Sequence, residues 1–78
     1  MESKEELLKI TGEILREKRL DSGLSQEKLA LECGLDRTFI SLLERGKRQP
    51  SIMTLFLIAE RVGSSPSEII AQIESRTK

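Results

Sequence analysis

Residues 34–51, GLDRTFISLLERGKRQPS, gather the side chains best suited to chemistry in this 78-residue chain. Arg37 and Thr38 stand near the start of an expected helix, and Ser41 lies one turn on. Arg45, Lys47 and Arg48 cluster at its end. A guanidinium carries a planar fork of donors that fits a carboxylate, a phosphate or a guanine edge, and a hydroxyl both donates and accepts. Such a set suits hydrogen bonding and ion pairing to a polyanion rather than the making of bonds. The chain has no histidine and one cysteine, Cys33. The commonest general base is therefore missing, and a zinc site cannot be assembled. There is no glycine-rich phosphate loop, and no nucleophile–base pair can be named. No enzyme activity, metal or cofactor is expected, and no small-molecule ligand.

The elements that must position these residues are helices. Apolar residues recur at helical spacing, and no alternating strand pattern appears. The first helix is expected from Lys4 to Ser22, with Leu7, Leu8, Ile10, Ile14, Leu15 and Leu20 as its apolar side and Gly23 as a left-handed cap. The second opens on Ser25, carries Leu29, Ala30 and Cys33, and stops at Gly34. The third opens on Asp36 and runs to Glu44 or Arg45, with Phe39, Ile40, Leu42 and Leu43 apolar. The fourth follows Ser51, with Ile52, Leu55, Ile58, Ala59 and Val62 facing inward and Gly63 ending it. The fifth begins at Ser65–Pro66, proline being harmless at the first helical position, and carries Ile69, Ile70 and Ile73. The tail ESRTK is expected to fray. Cys33, at helical spacing from Leu29 and Ala30, reads as a small core residue. The expectation is one all-α domain over residues 1–78, compact, with five helices around one core.

The charges balance, with thirteen of each sign and a sequence pI near 6.3. They are not evenly spread. Residues 1–36 carry net −3, residues 37–48 net +3, and residues 49–78 net zero. Attraction to DNA depends on the field facing the phosphates, within a Debye length of about 8–10 Å. A neutral chain with a basic edge should bind random DNA weakly and lean on specific contacts. No apolar run reaches the length of a membrane span, and the acidic, polar MESKEELLKI is not a secretory signal. With a lone thiol, these features suit the cytoplasm.

The second and third helices form an ordered set. Ala30 is small enough for close approach, Gly34 permits a three-residue turn, Leu35 fills the wedge, and Ile40 and Leu43 anchor the third helix. At this point SQEKLALECGLDRTFISLLERGKRQPS resembles the helix-turn-helix of the Cro and phage-repressor (XRE) family, a lambda-repressor-like fold. The match runs in order through Gly23-Leu24-Ser25-Gln26, Leu29-Ala30, Gly34, Ile40-Ser41, Glu44-Arg45-Gly46 and Pro50-Ser51, within about Gly12 to Ile70. The phrase LDRTFIS is similar to the recognition helix of restriction–modification controller proteins.

The resemblance implies a helix-turn-helix over about 25–45 whose third helix enters the major groove. Arg37 and Thr38 then face the bases with Ser41 beside them. Leu42 departs from relatives that carry a polar reader there. Gln26, Arg45, Lys47 and Arg48 fall where relatives hold backbone phosphates, and Arg16 is a further candidate. Phe39 fits either the core or the flank of the DNA backbone. Arg19 and Glu44 match a structural ion pair. The bland alternatives are solvated cations near a helix end, where Lys47 and Arg48 would be stabilising in any case. Helices four and five, about 51–75, supply core and dimer interface, with Phe56, Leu57, Ile69 and Ile73 as contacts. The expected function is a homodimeric, sequence-specific regulator of transcription on palindromic double-stranded DNA. A controller of a restriction–modification operon fits the size and the LDRTFIS phrase; an antitoxin, a phage-type repressor, or a protein-interaction module on the same scaffold are the alternatives. RNA polymerase would be a partner of an activator, through Glu13, Glu17, Glu27 or Glu32.

Overall fold

A computed structural model describes residues 3–77. The helices are α1 (Lys4–Asp21), α2 (Gln26–Cys33), α3 (Arg37–Glu44), α4 (Ile52–Arg61) and α5 (Pro66–Arg76). Their starts are written in local chemistry. The hydroxyls of Ser3, Ser25, Ser51 and Ser65 accept from the amides of Glu6, Lys28, Thr54 and Glu68, which would otherwise be orphan donors. At α5 the cap is reciprocal, because Glu68 Oε1 also accepts from the Ser65 amide at 2.9 Å. α3 is the exception: Asp36 occupies the cap position but makes no side-chain cap hydrogen bond.

The helices close on one core. Ile14, Leu29, Ile40, Leu43, Ile58 and Ile69 are essentially removed from solvent. α1 packs on α3 and α5, α2 on α3 and α4, and α4 on α5. The fold is all-α and lambda-repressor-like, as expected. Cys33 is buried, its thiol 3.6 Å from the Leu57 carbonyl, and burial pushes its pKa above the ordinary value.

α1 and α3 cross closely at Gly12, within α1. A β-carbon there would meet the Leu43 carbonyl oxygen and come within 2.6 Å of that of Glu44. Glycine in a helix interior is unfavourable by about 1 kcal/mol relative to alanine. Here its bare backbone lets α1 lie directly against the end of α3.

Several expectations are corrected. Ile69 and Ile73, expected at the dimer interface, are core residues, with Ile69 fully buried. Ile70 is the exposed isoleucine of α5. Ile52, expected inward, is 70% exposed, and Thr54 takes an inward place on α4. Helical side chains lean toward the N-terminus, so one in the first turn projects past the core. Leu20 is likewise half exposed, near the end of α1. The tail does not fray through Arg76: α5 reaches that residue, whose guanidinium grips Glu17 on α1 through bonds of 2.7 and 3.0 Å. Lys78 lies outside the described residues.

Candidate nucleic-acid interface

α3 is held from behind and open in front. Ile40 and Leu43 insert into the core. Glu44 turns inward with them and meets Arg19 of α1 in a two-pronged pair, Nε to Oε2 at 2.6 Å and Nη2 to Oε1 at 3.0 Å. Both side chains are almost fully buried. Arg19 donates once more to the Leu24 carbonyl, and Gln26 Nε2 donates to Glu44 Oε1 at 3.0 Å. The charges are therefore compensated and hydrogen-bonded, which a buried pair requires. This network fixes the end of α3 to α1 and to the start of α2.

The same network redefines Gln26. Expected at a phosphate, its amide group is directed at Glu44 instead. The sequence shows a glutamine at the start of α2 and a glutamate at the end of α3, but no local pattern connects them.

The turn between α2 and α3 is Gly34, Leu35 and Asp36. Gly34 has φ +68°, and Leu35 returns its amide to the Ala30 carbonyl at 2.8 Å. Leu35 packs half-buried against the core. This turn sets how α3 leaves the body of the protein.

On the outward side, Arg37, Thr38, Ser41 and Arg45 share an arc of roughly 100° on α3, at 3.6 residues per turn. Arg37, Thr38 and Arg45 are exposed and Ser41 is half-buried. Arg45 Nε donates to Ser41 Oγ at 3.3 Å, so these two act together. Leu42 flanks the strip, half-buried. Beyond the helix, Gly46 has φ +73°; its amide returns to Leu43 and the Lys47 amide to Leu42 at 2.8 Å. This double return is a Schellman turn, which satisfies carbonyls at the helix end and folds the chain back. A β-carbon on Gly46 would also come within 3.0 Å of the Lys9 backbone. Lys47 and Arg48 emerge exposed from this turn, and the Arg48 guanidinium carbon lies 5.5 Å from the centre of the Phe39 ring. Phe39 itself is half-buried, packed against the core.

The electrostatics of this face go beyond the sequence count. Glu44 is the one anion between residues 37 and 48, and it is buried and paired with Arg19. What this stretch offers outward is Arg37, Arg45, Lys47 and Arg48, with exposed Asp36 just before it. α3 also begins with no acidic residue in its first turn and no side-chain cap bond. The carboxylate at the positive end of its dipole is that of Asp36 at the cap position, and it bonds none of the helix amides.

Sequence reading missed three features around this face: the crossing at Gly12, the Gln26–Glu44 bond, and the Phe39–Arg48 contact. Gly12 alone had a local signal, a glycine inside a helical apolar pattern. Among the described residues, no helix is long and apolar enough to cross a membrane, and no group of histidine, cysteine, aspartate or glutamate residues could hold a metal ion.

Comparisons agree with this geometry. The family model described as Helix-turn-helix matches residues 15–69. Control protein C.BamHI of Bacillus amyloliquefaciens is 43% identical over 60 residues, covering 76% of this chain and 74% of that one. The crystal structure of the restriction–modification controller protein C.AhdI from Aeromonas hydrophila superposes with TM-score 0.74 at 41% identity, covering 82% of this chain and 96% of that one. The clp gene regulator ClgR of Corynebacterium glutamicum gives TM-score 0.84 at 26% identity, covering 90% and 74%. The matched family is one of non-enzymatic regulators that bind double-stranded DNA. The chain belongs to the XRE-type helix-turn-helix family of DNA-binding transcriptional regulators.

Proposed function

We propose that two copies of this protein bind a palindromic operator, each laying α3 into the major groove of one half-site, and that the pair controls a restriction–modification operon. The observation that carries the reading is the outward strip of α3, with Arg37, Thr38 and Arg45 exposed and Ser41 half-buried beside them, while Glu44 is drawn inward. Arg37 is assigned to a guanine edge and Thr38 to a hydroxyl contact or a thymine methyl, with Ser41 beside them. Lys47, Arg48 and Arg45 are assigned to phosphates, which fix register without specifying sequence. Gln26 is assigned there through the amides at the start of α2, since its side chain braces Glu44. The likeness to controller proteins supports the operon assignment, and the cytoplasm is where such an operator would be met.

Self-association is assigned to α4 and α5. Ile52, Met53 and Phe56 are exposed at spacings that place them on one side of α4, and exposed Ile70 adds to the apolar surface of α5. Phe56 and Leu57 border a groove of about 430 Å³ with Ser65 and Pro66. An apolar surface of this kind favours a partner over water. An activating contact with RNA polymerase is assigned to Glu13 and Glu27, because Glu17 is engaged by Arg76 and Glu32 by Lys28.

Selection of duplexes from a random pool, followed by footprinting, tests the reading. The expected result is two inverted half-sites about one DNA turn, roughly 34 Å, apart. A single asymmetric half-site, together with a monomer in sedimentation at micromolar concentration, would overturn the dimer. A specific-duplex affinity that does not change with salt would overturn phosphate anchoring.

A further inference from the structure

Arg48 follows the C-terminus of α3, where a cation needs no special explanation. Its position does. The Schellman turn at Gly46 folds the chain back along the helix, and the Arg48 guanidinium carbon comes to rest 5.5 Å from the Phe39 ring centre. Phe39 is in the first half of α3, well upstream of the helix end. The ring packs against the core cluster and is half-buried, whereas Arg48 is exposed. The ring is thus anchored against the core, with the cation lying over it.

A cation within about 6 Å of an aromatic centroid is attracted by the ring's quadrupole. A guanidinium held this way keeps N–H donors free at its edge, whereas an unsupported arginine must give up side-chain rotamer freedom on reaching a ligand. We infer that Phe39 is a positioning residue for Arg48: its ring holds the guanidinium beside the first half of α3, ready for a DNA phosphate flanking the recognition helix. This rests on the DNA-facing role proposed above for Arg48. The contact joins the turn after α3 to the half of α3 that carries Arg37 and Thr38, so reader and anchor are held in one register.

The test is a double-mutant cycle on the duplex recovered from the random pool, with Phe39→Leu, Arg48→Ala and the double variant, and with Phe39→Tyr as the ring-retaining control. Phe39→Leu should weaken binding roughly two- to five-fold when Arg48 is present and leave the Arg48→Ala protein unchanged. Phe39→Tyr should retain wild-type affinity. In the free protein, the Arg48 δ-protons should show an upfield ring-current shift that survives in Phe39→Tyr and vanishes in Phe39→Leu. Should Phe39→Leu melt too low for binding work, the proton shifts of the wild type and Phe39→Tyr, with Arg48→Ala, decide the matter. Losses that simply multiply, or unshifted Arg48 protons in the wild type, would overturn the positioning role alone. Undiminished binding by both Arg37→Ala and Arg48→Ala would overturn the reading of the face itself.

Discussion

α3 and α5 begin with similar sequence signals and are completed in opposite ways. Each follows a short polar residue suited to capping, Asp36 or Ser65. α5 then answers its own needs: Ser65 and Glu68 cap each other's amides, Pro66 needs no donor, and Glu68 meets the dipole. α3 has no side-chain cap bond, and Arg37 stands where an anion would be favoured. The helix that serves the scaffold is finished locally, whereas the proposed reading helix starts on a cap residue that bonds no amide, carries an arginine in its first turn, and is tied at its far end by the Glu44–Arg19 pair. Stability and recognition are thus assigned to different parts of the same small body.

The hardest test of that division is Glu44→Ala. It leaves Arg19 buried without its partner, and a loss of about 3–5 kcal/mol in stability is expected by thermal or urea unfolding. A variant that melts like the wild type would mean that α3 is not held by this pair. Arg37→Ala probes the open end. Binding to the selected duplex should weaken by about 1–3 kcal/mol, with relaxed preference at one base pair. Its melting temperature should stay level or rise slightly, because a cation is removed from the positive end of a dipole. A stability loss matching the affinity loss would erase the distinction between the two ends.

Gly12→Ala tests the crossing that supports α3 from behind. Helix propensity alone would favour alanine by about 1 kcal/mol. The clash with the Leu43 and Glu44 carbonyls should outweigh it, since overpacking costs about 1–3 kcal/mol. A net stabilisation in the melt would show that α1 and α3 can separate cheaply.

The caps can be compared directly. Ser65→Ala should cost about 1 kcal/mol, or about 4–8 °C in melting temperature for a domain of this size. Asp36→Ala should cost less, because no side-chain cap bond is lost. Equal losses would remove the contrast between the helices.

The smallest expected effect is that of acid. Glu68 is lowered below its ordinary value of 4.5 by its bonds to Ser65, and Glu17 is lowered by Arg76. Both carboxylates therefore favour the folded state above that value, and their contribution is lost as pH falls through the lowered folded pKa. Glu68→Gln and Glu17→Gln should each reduce the difference in melting temperature between pH 6 and pH 3. Unchanged pH dependence in both would sink the assignment.

Much of this was legible in the chain because helix ends are local. Serine caps, glycine stops and Pro66 depend on neighbours within a few residues, and all five helices lie where those signals put them. The helix-turn-helix was legible for the same reason, being a run of continuous sequence. Periodicity, however, marks an apolar face without saying how much of it the rest of the chain will cover. Ile69 and Ile70 are adjacent and chemically identical, yet one is buried and the other half exposed.

By itself, then, the sequence determined the helices, their order, the turn at Gly34 and the basic stretch around α3, because each follows from backbone and side-chain chemistry over a few residues. The tertiary structure alone decided that Gln26 joins the Arg19–Glu44 pair, that α1 meets α3 at Gly12, and that Arg48 lies on Phe39. These contacts join residues far apart in the chain, and only packing around the common core brings them within reach of one another.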